Sequence, residues 1–289
     1  MLALDIGGTK IAAGLVDPAG RLLRHATRPT GTDPFAAVRA LVAELVDAPV
    51  PGVGIACAGP VDAVAGTVAP INISSWRDFP LVDRVRELVA APVALAGDGL
   101  CMALGEHWVG AGQGTDAILG MVVSTGVGGG LVLDGRPFGG RSGNAGHVGH
   151  VVAEPAGEPC TCGGRGCVET VASGPSLVRW ARARGWSGAD AGALATAAHA
   201  GDPVATAAFR RGGQAVGLAI VATAAVCDLD LAVVGGGVAQ AGDLLFAPVR
   251  ETIATHAGLS YLRSLRVEPA KLGTSAGLYG AAALAYSLL

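Results

Sequence analysis

The chain has 289 residues, 51% of them hydrophobic and 15% charged, with a formal net charge of −3. That is enough apolar side chain for a sizeable core in two lobes or one large domain, and with no dense basic run it gives nucleic-acid binding no electrostatic support. No secretory signal opens it, and its most apolar long stretch, 215–234, is interrupted by Asp228 and Asp230, so a soluble cytoplasmic protein without a membrane span is expected.

Leu2-Ala3-Leu4 reads as a strand that leads into Asp5-Ile6-Gly7-Gly8-Thr9-Lys10 and a second apolar run from Ile11 to Val16. Asp17-Pro18-Ala19-Gly20 is the next turn. Helical periodicity covers 34–46, and a strand over 53–58 ends at Gly59-Pro60. Helices are predicted at 81–90 and 99–108 on either side of a strand at 93–96. The opening pattern then returns, with a strand at 118–123, a glycine-rich turn from Ser124 to Gly130 and a return strand at 131–133. After Pro175 the chain reads as mostly helical, with one strand at 231–234, then Gly235-Gly236-Gly237-Val238, and a last helix at 276–287. The repeated strand, glycine hairpin and strand predict a loosely duplicated α/β chain. Its lobes would be 1–110 and 111–289, facing each other across a cleft, with the last helix free to pack back on the first lobe.

Phosphate oxygens need several donors at close range, and backbone N–H groups in a bare glycine turn supply them. Gly7, Gly8, Thr9 and Lys10 fit one such turn; Thr125, Gly126, Gly128 and Gly129 fit the other. Asp5 stands where a carboxylate can hold a magnesium-bound water. Either turn alone is equally well an ordinary hairpin, whereas both together, each between apolar strands, favour phosphate. Gly236 and Gly237, after a buried strand, offer a flat surface to an adenosine. No GxxxxGK[ST] loop and no protein-kinase signature is present, so a nucleotide site here is of another design.

Cys57, Cys101 and Cys227 lie in apolar surroundings and read as small buried hydrophobes. Cys160, Cys162 and Cys167 fall within eight residues of one another, ten residues after His150. One imidazole and three thiolates suit a tetrahedral Zn²⁺ with no open position, hence a structural ion, against the plainer reading of three reduced thiols in a glycine loop.

Taken in order, these motifs resemble the ROK family of repressors and sugar kinases over nearly the whole chain. Asp5 to Lys10 is similar to its first phosphate motif and Ser124 to Gly130 to its second. Ala145-Gly146-His147-Val148-Gly149-His150 with Cys160 to Glu169 is similar to its signature and zinc knuckle, and Gly235 to Val238 to its adenosine motif. The resemblance implies an actin-like ATPase (ribonuclease H-like) fold and an ATP- and Mg²⁺-dependent sugar kinase that transfers to a hexose 6-hydroxyl. It implies Asp98 as catalytic base, with Asn72, His147, His150 and Glu169 at the sugar, and a homodimer or dimer of dimers. Read from the residues alone, Asp98 is equally a helix N-cap and Asn72 a turn former after Pro70. Family repressors carry a helix-turn-helix ahead of this core, and here the first phosphate strand begins at residue 2, which favours the kinase branch.

The chain departs from the family text in ways that bear on substrate. Where the family reads Asn-Asp-Ala-Asn, this sequence reads Gly97-Asp98-Gly99-Leu100, and His147 replaces a usual Glu. His at this position is shared with N-acetylmannosamine kinases of the family, while Trp76-Arg77-Asp78-Phe79-Pro80-Leu81 is closer to the glucokinases. A hexose kinase, an N-acetylhexosamine kinase and a non-catalytic sugar sensor are the competing expectations.

Overall fold

The computed structural model describes residues 1–289. The chain divides into two compact units. The first comprises Met1–Thr115, Gly130–Gly146 and Lys271–Leu289; the second comprises Asp116–Gly129 and His147–Ala270. The division is thus more interleaved than a single boundary near residue 110. Packing explains it: a Cβ on Gly130 would collide with the backbone of Leu100, and the last helix lies against the first strands.

In the first unit the chain runs β1 (Leu2–Ile6), β2 (Lys10–Val16), β3 (Leu22–Pro29), α1 (Pro34–Leu45), β4 (Val53–Cys57), the small hairpin β5 (Val61–Asp62) and β6 (Thr67–Val68), α2 (Leu81–Arg86), β7 (Val93–Gly97) and α3 (Asp98–Val109). The sheet order is β3-β2-β1-β4-β7, with β1, β4 and β7 parallel and the two hairpin strands antiparallel. Leu2, Leu4, Ile6, Val53, Ile55 and Leu95 are buried with Val38, Leu41 and Leu81 from the covering helices. Strands buried on both faces read as continuous apolar runs, which is why β1 and β4 are plain in the sequence. The edge strand β3 is largely exposed and polar, and the periodicity does not announce it. The helix expected over 81–90 is shorter, ending at Arg86.

The chain continues through β8 (Ile118–Val123), β9 (Val127–Leu133), β10 (Arg136–Phe138), α4 (Val168–Ala172), α5 (Gly174–Arg182), α6 (Ala191–His199), α7 (Pro203–Cys227), β11 (Leu231–Gly235), α8 (Asp243–His256), β12 (Arg266–Pro269) and α9 (Ala276–Tyr286). The second sheet, β10-β9-β8-β11-β12, has β8, β11 and β12 parallel and repeats the order of the first, so the duplication read from the glycine hairpins is a duplication of the sheet. A second strand after Pro175, β12, was not expected; its short Arg-Val-Glu-Pro edge carries one buried side chain. The 25-residue α7 starts where Asp202 accepts the Ala205 N–H at 2.8 Å ahead of Pro203, and stops at Asp228, whose φ of 51° is left-handed. No helix is long and apolar enough to cross a membrane.

Candidate active site

In open α/β sheets, binding groups gather beyond the carboxyl ends of parallel strands. In the first unit β1 ends at Asp5-Ile6 and β7 at Gly97-Asp98. The turn from Gly7 to Thr9 is closed by the Gly7 N–H donating to Lys10 O at 3.0 Å. Buried Thr30 braces it: its hydroxyl donates to Gly7 O at 2.7 Å and its N–H to Thr9 O at 3.1 Å. The Asn72 amide lies across Gly8, where an added Cβ would stand 2.6 Å from it. Asn72 also lies within the turn that the Ile73 N–H closes by donating to Pro70 O at 3.1 Å, so it both shapes a turn and covers the glycine.

Asp5 keeps some contact with solvent, but the dense packing around it pushes its carboxyl up to about 6. Burial is the main cause; the Asp98 carboxylate adds to it and Lys10 opposes it. A carboxylate raised by burial and by a second carboxylate beside it is one that a cation would stabilise in its charged form. The Asp5 carboxylate also abuts Gly277 in the first turn of α9, where any side chain would collide with it. Asp98 is the first helical residue of α3, and the N-cap position is Gly97, which has no side chain to cap with. The N-cap alternative for Asp98 therefore lapses. The Asp98 side chain is exposed, and its Oδ1 accepts the Gly99 N–H at 2.8 Å.

In the second unit the glycine turn is shorter than 124–130. The Ser124 N–H donates to Gly126 O at 2.8 Å, and β9 begins at Val127, so Gly128 and Gly129 are strand residues. Their polar-glycine composition resembles a longer turn, but strand pairing claims them. Val238 N–H donates to Val123 O at 3.0 Å and Gly174 N–H to Ser124 O at 2.7 Å. Gly236, at φ 95°, packs against the Val123 backbone where no Cβ fits. These bonds bring the turn, the start of α5 and the Gly236-Gly237 corner together at the ends of β8 and β11. They enclose a largely apolar cavity of about 750 Å³ lined by Thr125, Gly174, Pro175, Val178, Arg182 and Gly237, among others. Its size is that of a small-molecule site. Thr125 and Gly237 line it; Gly126, Gly128, Gly129 and Gly236 do not. Its α5 wall and the Asp190–Gly192 segment were missed by sequence reasoning, although Gly174-Pro175 is a visible helix start.

Glu169, in the first turn of α4, accepts the Val127 N–H at 2.9 Å. His147 and His150 stack nearly parallel, 13° apart, with centroids separated by 6.3 Å. His150 Nδ1 lies 3.8 Å from Cys160 Sγ, and Cys162 Sγ lies 3.8 Å from Cys167 Sγ. All four ligand atoms fall within 4.8 Å of one another. A tetrahedral zinc with Zn–S near 2.3 Å has S–S edges of about 3.8 Å, so the donor set and its spacing fit such an ion. Left-handed Gly163 and Gly166 fold the loop around them. Two buttresses tie the loop to the helices: Glu154 pairs with Arg211 at 2.7 and 2.9 Å, and Glu158 with Arg179 at 2.8 and 3.0 Å.

Two sheets of matching order, each led by a glycine hairpin, define the actin-like ATPase class of α/β proteins. The ROK family model matches residues 1–287, and the chain belongs to the ROK family. It is similar to a glucokinase of Thermotoga maritima at 33% identity, over 98% of this chain and 96% of the relative. It is similar to an N-acetylmannosamine kinase of Citrobacter koseri at 36% identity, over 98% of each. Among solved structures, a ROK family glucokinase of Streptomyces griseus in complex with glucose and AMPPNP matches at 37% identity with a TM-score of 0.83, over 99% of this chain and 100% of that one.

Proposed function

We propose that this protein is an ATP-dependent hexose kinase that moves the γ-phosphoryl group of ATP to the 6-hydroxyl of glucose or a close relative. The observation that carries this reading is the full-length ROK match combined with an intact working set: both glycine turns, Asp5, Asp98 and the cavity at the ends of β8 and β11. A sugar sensor would need no such set.

Adenosine occupies the cavity, against Gly174-Pro175 and Gly237. Backbone N–H groups of Gly8 and Thr9 in the first turn and of Thr125 and Gly126 in the second meet the phosphates. Asp98 accepts the proton of the acceptor hydroxyl as that oxygen bonds to the γ-phosphorus in line, while the bond to the β,γ-bridging oxygen breaks and ADP departs with the electron pair. Mg²⁺ bound with ATP would neutralise phosphate charge, and Asp5 is the residue that would hold it. Most of the acceleration comes from positioning and charge neutralisation. Asn72, His147, His150 and Glu169 bind sugar hydroxyls. His150, Cys160, Cys162 and Cys167 would hold Zn²⁺ as a structural ion, which would restrain the loop and fix the orientation of the His150 ring. The family resemblance supports a cytoplasmic homodimer.

His147, in place of a family Glu, favours a second reading as a kinase for an N-acetylated hexosamine. The test is ADP release with Mg²⁺-ATP and glucose, mannose, N-acetylglucosamine or N-acetylmannosamine, with Asp98→Ala as control. Turnover with one sugar that Asp98→Ala abolishes sustains the kinase reading and names the acceptor. Binding without turnover by any of the four favours the sensor.

A further inference from the structure

Several glycines of the first unit have a visible reason to be glycine. At Gly54, Gly105 and Gly280 a backbone carbonyl of a neighbouring element occupies the place of a Cβ. At Gly8 the Asn72 side chain does so, and Gly66 has a φ of 72°. Gly97 has neither reason. Its φ of −64° and ψ of 149° are extended backbone that any residue adopts, and a Cβ built on it meets nothing within 4 Å. It is also the N-cap of α3 and provides no side-chain cap, where Asn, Asp or Ser would. Backbone, packing and helix start are thus served as well or better by a larger residue. What the glycine preserves is free space, at the carboxyl end of β7, one residue from Asp98.

We infer that Gly97 is a specificity-determining position: by carrying no side chain it leaves one ring position of the acceptor sugar unread and gives it room. The inference rests on the hexose-kinase reading and deepens it. The substrate class is a hexose altered at one ring carbon away from the phosphorylated hydroxyl, whether deoxygenated, O-alkylated or acylated. A site that hydrogen-bonds a hydroxyl rejects the analogue lacking it, because its own polar groups are then left unpaired. An amide at 97 would both fill the space and offer a donor and an acceptor; glycine does neither. The family's Asn-Asp pair at this point is the arrangement this chain lacks.

The experiment measures kcat/KM for wild type, Gly97→Asn and Gly97→Ala. The sugars are the best acceptor of the four above and its monodeoxy and mono-O-methyl derivatives at each remaining ring hydroxyl. Wild type should show one ring position at which both derivatives fall within about threefold of the parent, and Gly97→Asn should make that same position discriminate by about tenfold or more. Gly97→Ala should lose the O-methyl derivative at that position and keep the deoxy one. Identical preference patterns in all three proteins, each with an unchanged melting temperature, overturn the inference. If Gly97→Asn does not fold, the Gly97→Ala comparison decides in the same way. If wild type phosphorylates no hexose while binding Mg²⁺-ATP, the kinase reading itself has failed and this inference falls with it.

Discussion

Glu169 Oε2 accepts the backbone N–H of Val127 at 2.9 Å, so a side chain in the first turn of α4 holds the residue that closes the second glycine turn. The same oxygen would stand 2.7 Å from any Cβ on Gly126, which explains glycine at a position whose φ does not require it. A residue expected to bind sugar is therefore also a brace of the second glycine turn, and the two roles separate by substitution. Glu169→Ala leaves the buried Val127 N–H unpaired, a loss of about 1.5–3 kcal/mol or roughly 10- to 100-fold in kcat/KM, with KM rising for both ATP and sugar. Glu169→Gln keeps an acceptor and should restore KM for ATP while KM for sugar stays raised. Steady-state kinetics with each substrate varied in turn checks this.

Asp5 gives the pH dependence. Its folded-state pKa is raised to about 6 by burial, then by Asp98. Above pH 6 the carboxylate is ionised in both folded and unfolded chains and the folded state bears the full penalty; below about pH 4 it is protonated in both and the penalty vanishes. Asp5→Asn should therefore stabilise the metal- and nucleotide-free protein by about 3 kcal/mol at pH 7, and the gain should fade as pH drops from 6 to 4. Urea unfolding of both proteins at pH 7 and pH 4, in chelator, measures it. The same variant should lose kinase activity at every pH.

The parts of the site that were legible are those in which chemistry and chain proximity coincide. Asp5 to Lys10 is a strand, a turn and a strand in one short run. The thiols at 160, 162 and 167 announce themselves because metal geometry demands close ligands. The strands behind both turns were plain because they are buried on two faces. Thr30 was not legible as the brace of the first turn: it is brought there by β3, a polar edge strand without periodic signal. The α5 wall of the cavity depends on a backbone bond from Gly174 to Ser124, fifty residues away in sequence. The return of α9 to β1 and β4 was expected, but the assignment of Gly130–Gly146 to the first unit was hidden, because the packing of Gly130 on Leu100 is not local.

The closeness of α9 to the first sheet yields a stability prediction. A Cβ on Gly280 would strike the Cys101 carbonyl of α3, and one on Gly54 would strike the Ala281 carbonyl of α9. Backbone cannot swing aside as a side chain can, so Gly280→Ala and Gly54→Ala should each destabilise by about 1–3 kcal/mol or more. Gly258, with ordinary φ and open space around it, is the matched control, and Gly258→Ala should leave the melting temperature nearly unchanged. Thermal unfolding of the three variants separates the cases.

Metal removal should act locally and on defined thiols. The loop that carries Cys160, Cys162 and Cys167 has a few backbone bonds of its own, such as Cys160 N–H to Gly164 O at 2.9 Å, and its two arginine buttresses are at least partly exposed. Exposed ion pairs add little, so the coordination energy of an ion on these four residues would be the main restraint on the loop. With the ion bound, a thiol reagent should find few sites. After chelation, Cys160, Cys162 and Cys167 should label, Cys162 first because it is exposed. Cys57 and Cys101 should stay unlabelled in both states, since they are buried in the first unit and burial holds their thiols well above the usual range. Mass spectrometry of the alkylated protein identifies the sites, and hydrogen exchange should rise over 147–169 alone. Labelling of Cys57 or Cys101 on chelation would mean that the metal supports far more of the fold than its own loop.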